Sequence, residues 1–270
     1  MDRKLNYLFG FLLVILFISV ANTAQQWNVL LGLLLSSAFG FAAFLLQRLT
    51  LDGMFATIVA GTFILGFGGW ITALLVLFFF VSSTIITNNE EHATKDEELH
   101  NGRRNGIQVW SNGFWLMCCL VLAVIFGDDI FVLGGVAAIA VATADTWATE
   151  LGSRNPGSTY LITNFSSVAP GTNGGISLKG TAAALAGSLC IAAGALYVFS
   201  LHLPIFLSIF LAGFLGCLID SYFGAIFQRN NRSVPLPFGN AAIGITNNSV
   251  NMISTGIGAL LAIIIKLLLA

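Results

Sequence analysis

Long apolar runs without two-residue alternation fill most of the chain, and polar residues gather in a few stretches between them. A helix crossing the hydrocarbon core needs about 20 mostly apolar residues. Runs near 5–23, 27–47, 53–68, 70–87, 108–127, 129–145, 177–200, 203–221 and 243–268 supply such segments. Helices rather than strands follow, because lipid requires every backbone amide to be satisfied within its own segment. The expected fold is all-α, a polytopic transmembrane bundle of about nine helices in one integral membrane domain over 1–270, with polar or re-entrant loops. The run at 53–68 is short and carries Gly61, Gly66 and Gly68, with Gly69 just beyond. It is therefore expected to be tightly packed or broken.

Composition agrees with the pattern. Of 270 residues 57% are hydrophobic and 9% charged, with a mean hydropathy of +0.90, whereas about a quarter of a soluble domain is charged. The net charge of -1 argues against nucleic acid as a partner, since that mode needs a basic surface. Cys118, Cys119, Cys190 and Cys217 all fall inside apolar runs and read as small core residues rather than disulfides or metal ligands. Arg3 and Lys4 before 5–20 imitate a signal peptide, with Ala21 or Ala24 near a cleavage position. The many similar runs downstream favour an uncleaved first span.

Charge placement sets the expected orientation. With the N-terminus in the cytoplasm, nine crossings put Arg3, Lys4, Arg48, Lys95, Arg103, Arg104, Arg154, Lys179, Arg229 and Arg232 on that side and leave Lys266 near the other. The positive-inside rule supports both the count and the orientation. Three longer loops, 88–107, 146–176 and 222–242, are then cytoplasmic, and the Asn-x-Ser matches at Asn164, Asn231 and Asn248 are not glycosylation sites. His92, His100 and His202 have no partner spacing for a zinc site or a catalytic dyad.

Candidate chemistry lies beside these loops. Arg104, Gln108, Asn112 and Trp115 share one helical face, and Arg103 and Arg104 beside that amide ladder either bind a phosphate or tie helices together. Asp145 is a near-membrane carboxylate, for which function is the default reading. Glu150 lies five residues on, roughly 140° around an ideal helix. Joint binding of one ion by both needs the helix to end or bend, near Gly152 and Pro156; otherwise Glu150 pairs with Arg154. Gly171, Thr172, Asn173, Gly174 and Gly175 run into Ser177, Lys179 and a new helix, an arrangement that suits phosphate. The spacing is not that of a Walker A loop, and a packed re-entrant turn is the other reading. Asp220 is expected at the depth of Asp145, so Asp145, Glu150 and Asp220 converge on Mg²⁺, a cation that prefers hard oxygen ligands. Asn247, Asn251 and Ser254 form a polar stripe with Asn248 beside it, either interhelical glue or part of the pocket.

At these residues the sequence resembles an integral membrane family labelled domain of unknown function 92, which includes transmembrane protein 19 and the plant plastid phytyl-phosphate kinase. The resemblance is carried by RRNGIQVWSNG (103–113), ADTWATELG (144–152), LIT (161–163), PGTNGGISLKGT (170–181), GFLGCLIDSYFGAIFQ (213–228) and NNSVN (247–251), in the family's order over about 45–251. It implies a kinase that phosphorylates an isoprenyl monophosphate, such as phytyl or geranylgeranyl phosphate, to the diphosphate, with CTP as the donor. Residue by residue the carry-over falls on Asp145, Glu150, Asn173, Lys179, Asp220 and Asn248. In the combined reading Asp145 and Asp220 hold Mg²⁺ and Glu150 completes the shell or orients a water. The 171–175 turn with Lys179 cradles the donor phosphates, Arg103 and Arg104 hold the acceptor phosphate, and Gln108, Asn112, Asn247, Asn248 and Asn251 line the pocket. Two rivals use the same residues: a membrane nucleotidyl or alcohol-phosphate transferase, and a lipid or small-molecule transporter.

Overall fold

The chain was analysed as a computed structural model, which describes residues 2–87, 102–154, 157–199, 202–229, 233–235 and 242–269. The mixed-charge residues of 88–101, with His92 and His100, and Pro156, Asn231 and Arg232, lie outside the described residues. The helices in order are α1 (Asp2–Ser19), α2 (Thr23–Leu45), α3 (Leu51–Phe63), α4 (Gly69–Thr87), α5 (Gly106–Phe126), α6 (Ile130–Ser153), α7 (Leu178–Ala195), α8 (Leu203–Phe223) and α9 (Asn247–Leu268). Helices α3 and α8 each continue into a π-helical turn, Ile64–Gly68 and Gly224–Gln228. A small antiparallel sheet of order β2-β1-β3, from β1 (Thr159–Leu161), β2 (Ser167–Val168) and β3 (Gly175–Ser177), folds the loop after α6. Strands β4 (Ser233–Pro235) and β5 (Ala242–Gly244) pair between α8 and α9.

Local chemistry fixes the helix starts. Asn22 and Asn105 open α2 and α5 with reciprocal capping boxes, in which the side chain of Gln25 or Gln108 returns to the cap amide. Thr50, Ser177 and Thr246 cap α3, α7 and α9 through their side chains. Each cap satisfies an amide that has no partner inside its helix.

Among the described residues seven helical segments are long and apolar enough to cross a membrane, against about nine expected. One of them, Leu51–Thr87, spans 37 residues and covers two of the expected runs, because the backbone of Gly69 leaves the helical region at φ 75°. Neighbours on either side of Gly69 show the reversal. Leu49 bridges to Arg104, so α3 and α5 start at the same end, and Gly68 at the end of α3 meets Leu120 late in α5. Leu75 then lies over Gly194 at the end of α7, while Thr87 reaches Glu150 near the end of α6. The chain crosses in α3 and returns in α4. The remaining expected run is α1, whose 18 residues include the charged start of the chain. Its Phe9 ring stacks on Trp110 at 4.9 Å, and Trp110 Nε1 donates to Asn6 Oδ1 at 2.7 Å.

Helix α6 is the axis: every residue from 132 to 144 is buried. Lipid tails are as apolar as leucine, so close van der Waals contact rather than hydrophobicity draws membrane helices together. Small residues provide it on all sides of α6. Gly187 of α7 meets Ala144, Gly213 of α8 meets Ala140, and Gly216 of α8 and Gly258 of α9 both meet Val141. Helices α2 and α3 repeat the device through Gly32, Ser36 and Gly40, with Gly61 against Ser36 and a 3.0 Å hydrogen bond joining the Ser36 and Thr62 hydroxyls. The expectation for 53–68 is met in both forms, tight packing along its length and a break at its end.

Candidate active site

The loops and the described basic residues Arg3, Lys4, Arg48, Arg103, Arg104, Arg154, Lys179 and Arg229 collect at one end of the bundle, and Lys266 lies at the other. Asp145 projects from α6 at this end and Asp220 from α8, where Asp220 is 7% exposed. Their carboxyl groups lie against each other. Two carboxyls sit this close only with a proton or a cation between their oxygens. Ser254 Oγ donates to Asp220 Oδ2 at 2.7 Å. With the Asn251 amide oriented to suit its neighbours, its nitrogen donates to Asp220 Oδ2 at 3.3 Å and to the Asn247 carbonyl at 3.0 Å. Gln228 Nε2, on the π turn after α8, donates to Asn247 Oδ1 at 3.4 Å. The stripe Asn247–Asn251–Ser254 thus faces α8 and supports the acid pair. Cys217, one turn before Asp220, lies buried beside both acids as a free thiol.

Glu150 sits elsewhere. Helix α6 neither ends nor bends before Ser153, so Glu150 turns away toward α4 and accepts from Thr87 Oγ1 at 3.1 Å. Among the described residues no three His, Cys, Asp or Glu side chains gather closely enough to hold a metal ion. The acids that meet are two, not the three expected. Arg154, four residues beyond Glu150, keeps a buried Nη2 without a hydrogen-bond partner.

The Gly-rich turn is built onto α8. Gly174 adopts φ 80° and lies so close to the π turn that an added Cβ would fall 2.6 Å from Ala225 Cα. Only a residue without a Cβ combines that backbone with that approach. Thr172 N donates to Ala169 O at 3.2 Å and Gly175 N to Thr172 O at 2.8 Å, which closes the turn. Asn173 and Gly171 are exposed at its tip, and Lys179 is exposed in the first turn of α7. Gly180 and Gly152 bring α7 against the end of α6. The turn therefore rests on the end of α8, the helix that also carries Asp220.

The start of α5 divides the remaining candidates. Gln108 Oε1 accepts from Asn105 N at 2.9 Å in the capping box, and Asn112 Nδ2 donates to Gln108 O at 3.2 Å. Ser111 Oγ reaches Asn248 Oδ1 at 3.4 Å, and Trp115 Nε1 donates to Met252 O at 2.7 Å, so this face is joined to α9. Arg104 reaches α4, with Cζ 5.7 Å and 5.3 Å from the ring centres of Phe79 and Phe80. Arg103 keeps a buried Nε without a hydrogen-bond partner. Asp52 was not anticipated: it accepts from Thr50 Oγ1 at 2.6 Å and from Gly106 N at 2.8 Å, tying α3 to α5. Its signal was a Thr-x-Asp at a helix start, which reads as an ordinary cap. Asn105→Ala is expected to lower stability by about 1 kcal/mol, measured as a drop in the thermal midpoint in detergent.

Comparison with known proteins was made on this framework. The family model described as integral membrane protein DUF92 matches residues 34–259. An uncharacterized membrane protein of Methanocaldococcus jannaschii is 30% identical over 215 residues, 79% of this chain and 84% of the relative. Protein PGR of Arabidopsis thaliana is 29% identical over 86% of this chain and 94% of its own. Protein VTE6, chloroplastic, also of Arabidopsis thaliana, is 30% identical over 139 residues, 52% of this chain and 39% of the relative. No solved structure matches significantly.

Proposed function

The chain belongs to the integral membrane family DUF92, and we propose that it is a membrane kinase that transfers the γ-phosphate of a nucleoside triphosphate, CTP, to an isoprenyl monophosphate. The observation that carries this reading is the carboxyl pair Asp145–Asp220, held by Ser254 and Asn251 at the loop end of an apolar bundle. Burying charge beside a membrane is costly, and a pair so held suits a hard divalent cation, whose remaining positions substrate phosphates and water fill. The resemblance to a family that includes a plant plastid phytyl-phosphate kinase, and the chloroplastic relative, favour a prenyl phosphate over other acceptors.

In this reading Asp145 and Asp220 would hold Mg²⁺, which would supply charge neutralisation for the transferring phosphate. The 171–175 turn, with Lys179 at the adjoining helix start, receives the donor phosphates. Arg103, whose Nε has no protein partner, receives the acceptor phosphate. An anionic oxygen of that phosphate attacks the γ-phosphorus, the bond to the β-phosphate oxygen breaks, and the nucleoside diphosphate leaves. No general base is needed, because the nucleophile already carries its charge. The exposed apolar flank of the bundle admits the prenyl tail from the lipid. The positive-inside rule favours the cytoplasm for this end, where soluble nucleotide is available.

Purified protein incubated with Mg²⁺, each nucleoside triphosphate and a panel of prenyl monophosphates tests the proposal. Prenyl diphosphate and nucleoside diphosphate are the expected products, with the highest rate from CTP. Pyrophosphate release instead identifies a nucleotidyl transferase, and no turnover with any pair sinks the kinase reading.

A further inference from the structure

Helix α9 holds Asp220 asymmetrically. Ser254 Oγ, on a residue 1% exposed, and the oriented Asn251 amide both donate to one oxygen, Oδ2. Neither α9 donor reaches Oδ1. Ser254 Oγ lies 3.1 Å from Asn251 O, the longer of its two acceptor contacts, and Thr255 Oγ1 donates to that carbonyl at 2.7 Å. The first turns of α9 are thereby locked in register behind the carboxylate. Asp145 has no such support from α9; its carboxyl meets that of Asp220 from α6. One member of the pair is clamped by α9 and the other is not.

We propose that Ser254 is a positioning residue that reserves Oδ2 of Asp220 for protein donors and presents Oδ1, with Asp145, to a divalent cation. This rests on the reading that the pair holds the cation. A carboxylate with one oxygen engaged by two donors cannot rotate to chelate the ion through both oxygens. It binds through one, in a fixed direction. Partners that orient a metal ligand from behind commonly govern affinity by roughly 10–100-fold when removed.

The test is a titration of the full-length protein in detergent with Mn²⁺, followed by electron paramagnetic resonance of the free ion. S254A is expected to bind Mn²⁺ at least about tenfold more weakly than the wild type. S254T keeps the hydroxyl and is expected to recover most of the affinity. S188A removes a different buried hydroxyl, one bonded to Phe210 O at 2.7 Å in mid-bundle, and is expected to bind like the wild type. In turnover assays S254A raises the Mg²⁺ concentration for half-maximal rate while the rate at saturating Mg²⁺ changes little. Equal Mn²⁺ affinity in S254A and the wild type, or loss in S254T as large as in S254A, overturns the role of Ser254 and leaves the cation reading standing. A wild-type protein that binds no Mn²⁺ overturns the cation reading itself.

Discussion

Replacing Asp145 by Asn is expected to lower prenyl diphosphate formation by about 10²–10³-fold, the range seen when one preorganised charge-stabilising group is removed from an active site. Asp220→Asn is expected to fall in the same range. The two carboxyls are in contact, so if both hold one cation the double substitution is expected to cost little more than either single one. Asn keeps the volume and one acceptor oxygen, and both variants should elute and unfold like the wild type. Rates of the two single variants and the double variant decide the matter. Losses that multiply separate the carboxyls into independent roles, and undiminished turnover in Asp145→Asn would remove that residue from the mechanism.

Gly174→Ala should be the most damaging small substitution in the loops. A non-glycine residue in the left-handed region costs about 1–2 kcal/mol, and forcing a methyl into a filled contact costs about 1–3 kcal/mol more. Gly171 offers the control, because it also has positive φ, 77°, but nothing lies within 4 Å of its added Cβ. Gly171→Ala should therefore show the backbone cost alone. In Gly174→Ala the turn must also lift from Ala225, which separates the expected donor-phosphate cradle from the helix that carries Asp220. Thermal midpoints and turnover of both variants, and of Gly174→Ala combined with Ala225→Gly, measure the two parts. Partial recovery in the combination is expected, since the Ala225 backbone also lies within reach. Equal effects of Gly171→Ala and Gly174→Ala would contradict the packing argument.

Much of this arrangement is legible in residues whose burial is expensive. Asp145, Asp220, Asn251 and Ser254 stand out because a lipid environment gives them no other partner, and they are the residues that meet. Glu150 shows where a count of acids goes too far: five residues along a continuous helix point it at α4 and Thr87. That angle could be read from the sequence, but not whether the helix continues. Gln108 was read as a pocket residue from its helical face, although Asn105 and Gln108 also fit the capping-box spacing, the role its carbonyl takes. Arg103 and Arg104, adjacent in sequence, read from the sequence as one phosphate clamp. The bridge from Arg104 to Leu49 and its approach to Phe79 and Phe80 depend on α2–α4, which the local sequence does not encode. The run 51–87 was divided correctly because its glycines signal a break, and Gly69 supplies it.

The enclosure of α6 has a consequence for biogenesis. Its buried stretch reads VLGGVAAIAVATA, and much of the surface it packs against comes from α7, α8 and α9, which the ribosome makes later. A nascent chain that has delivered α8 already holds both carboxyls but lacks Ser254 and Asn251, which arrive only with α9. Until then Asp220 lacks the two α9 donors that hold its Oδ2 in the finished fold.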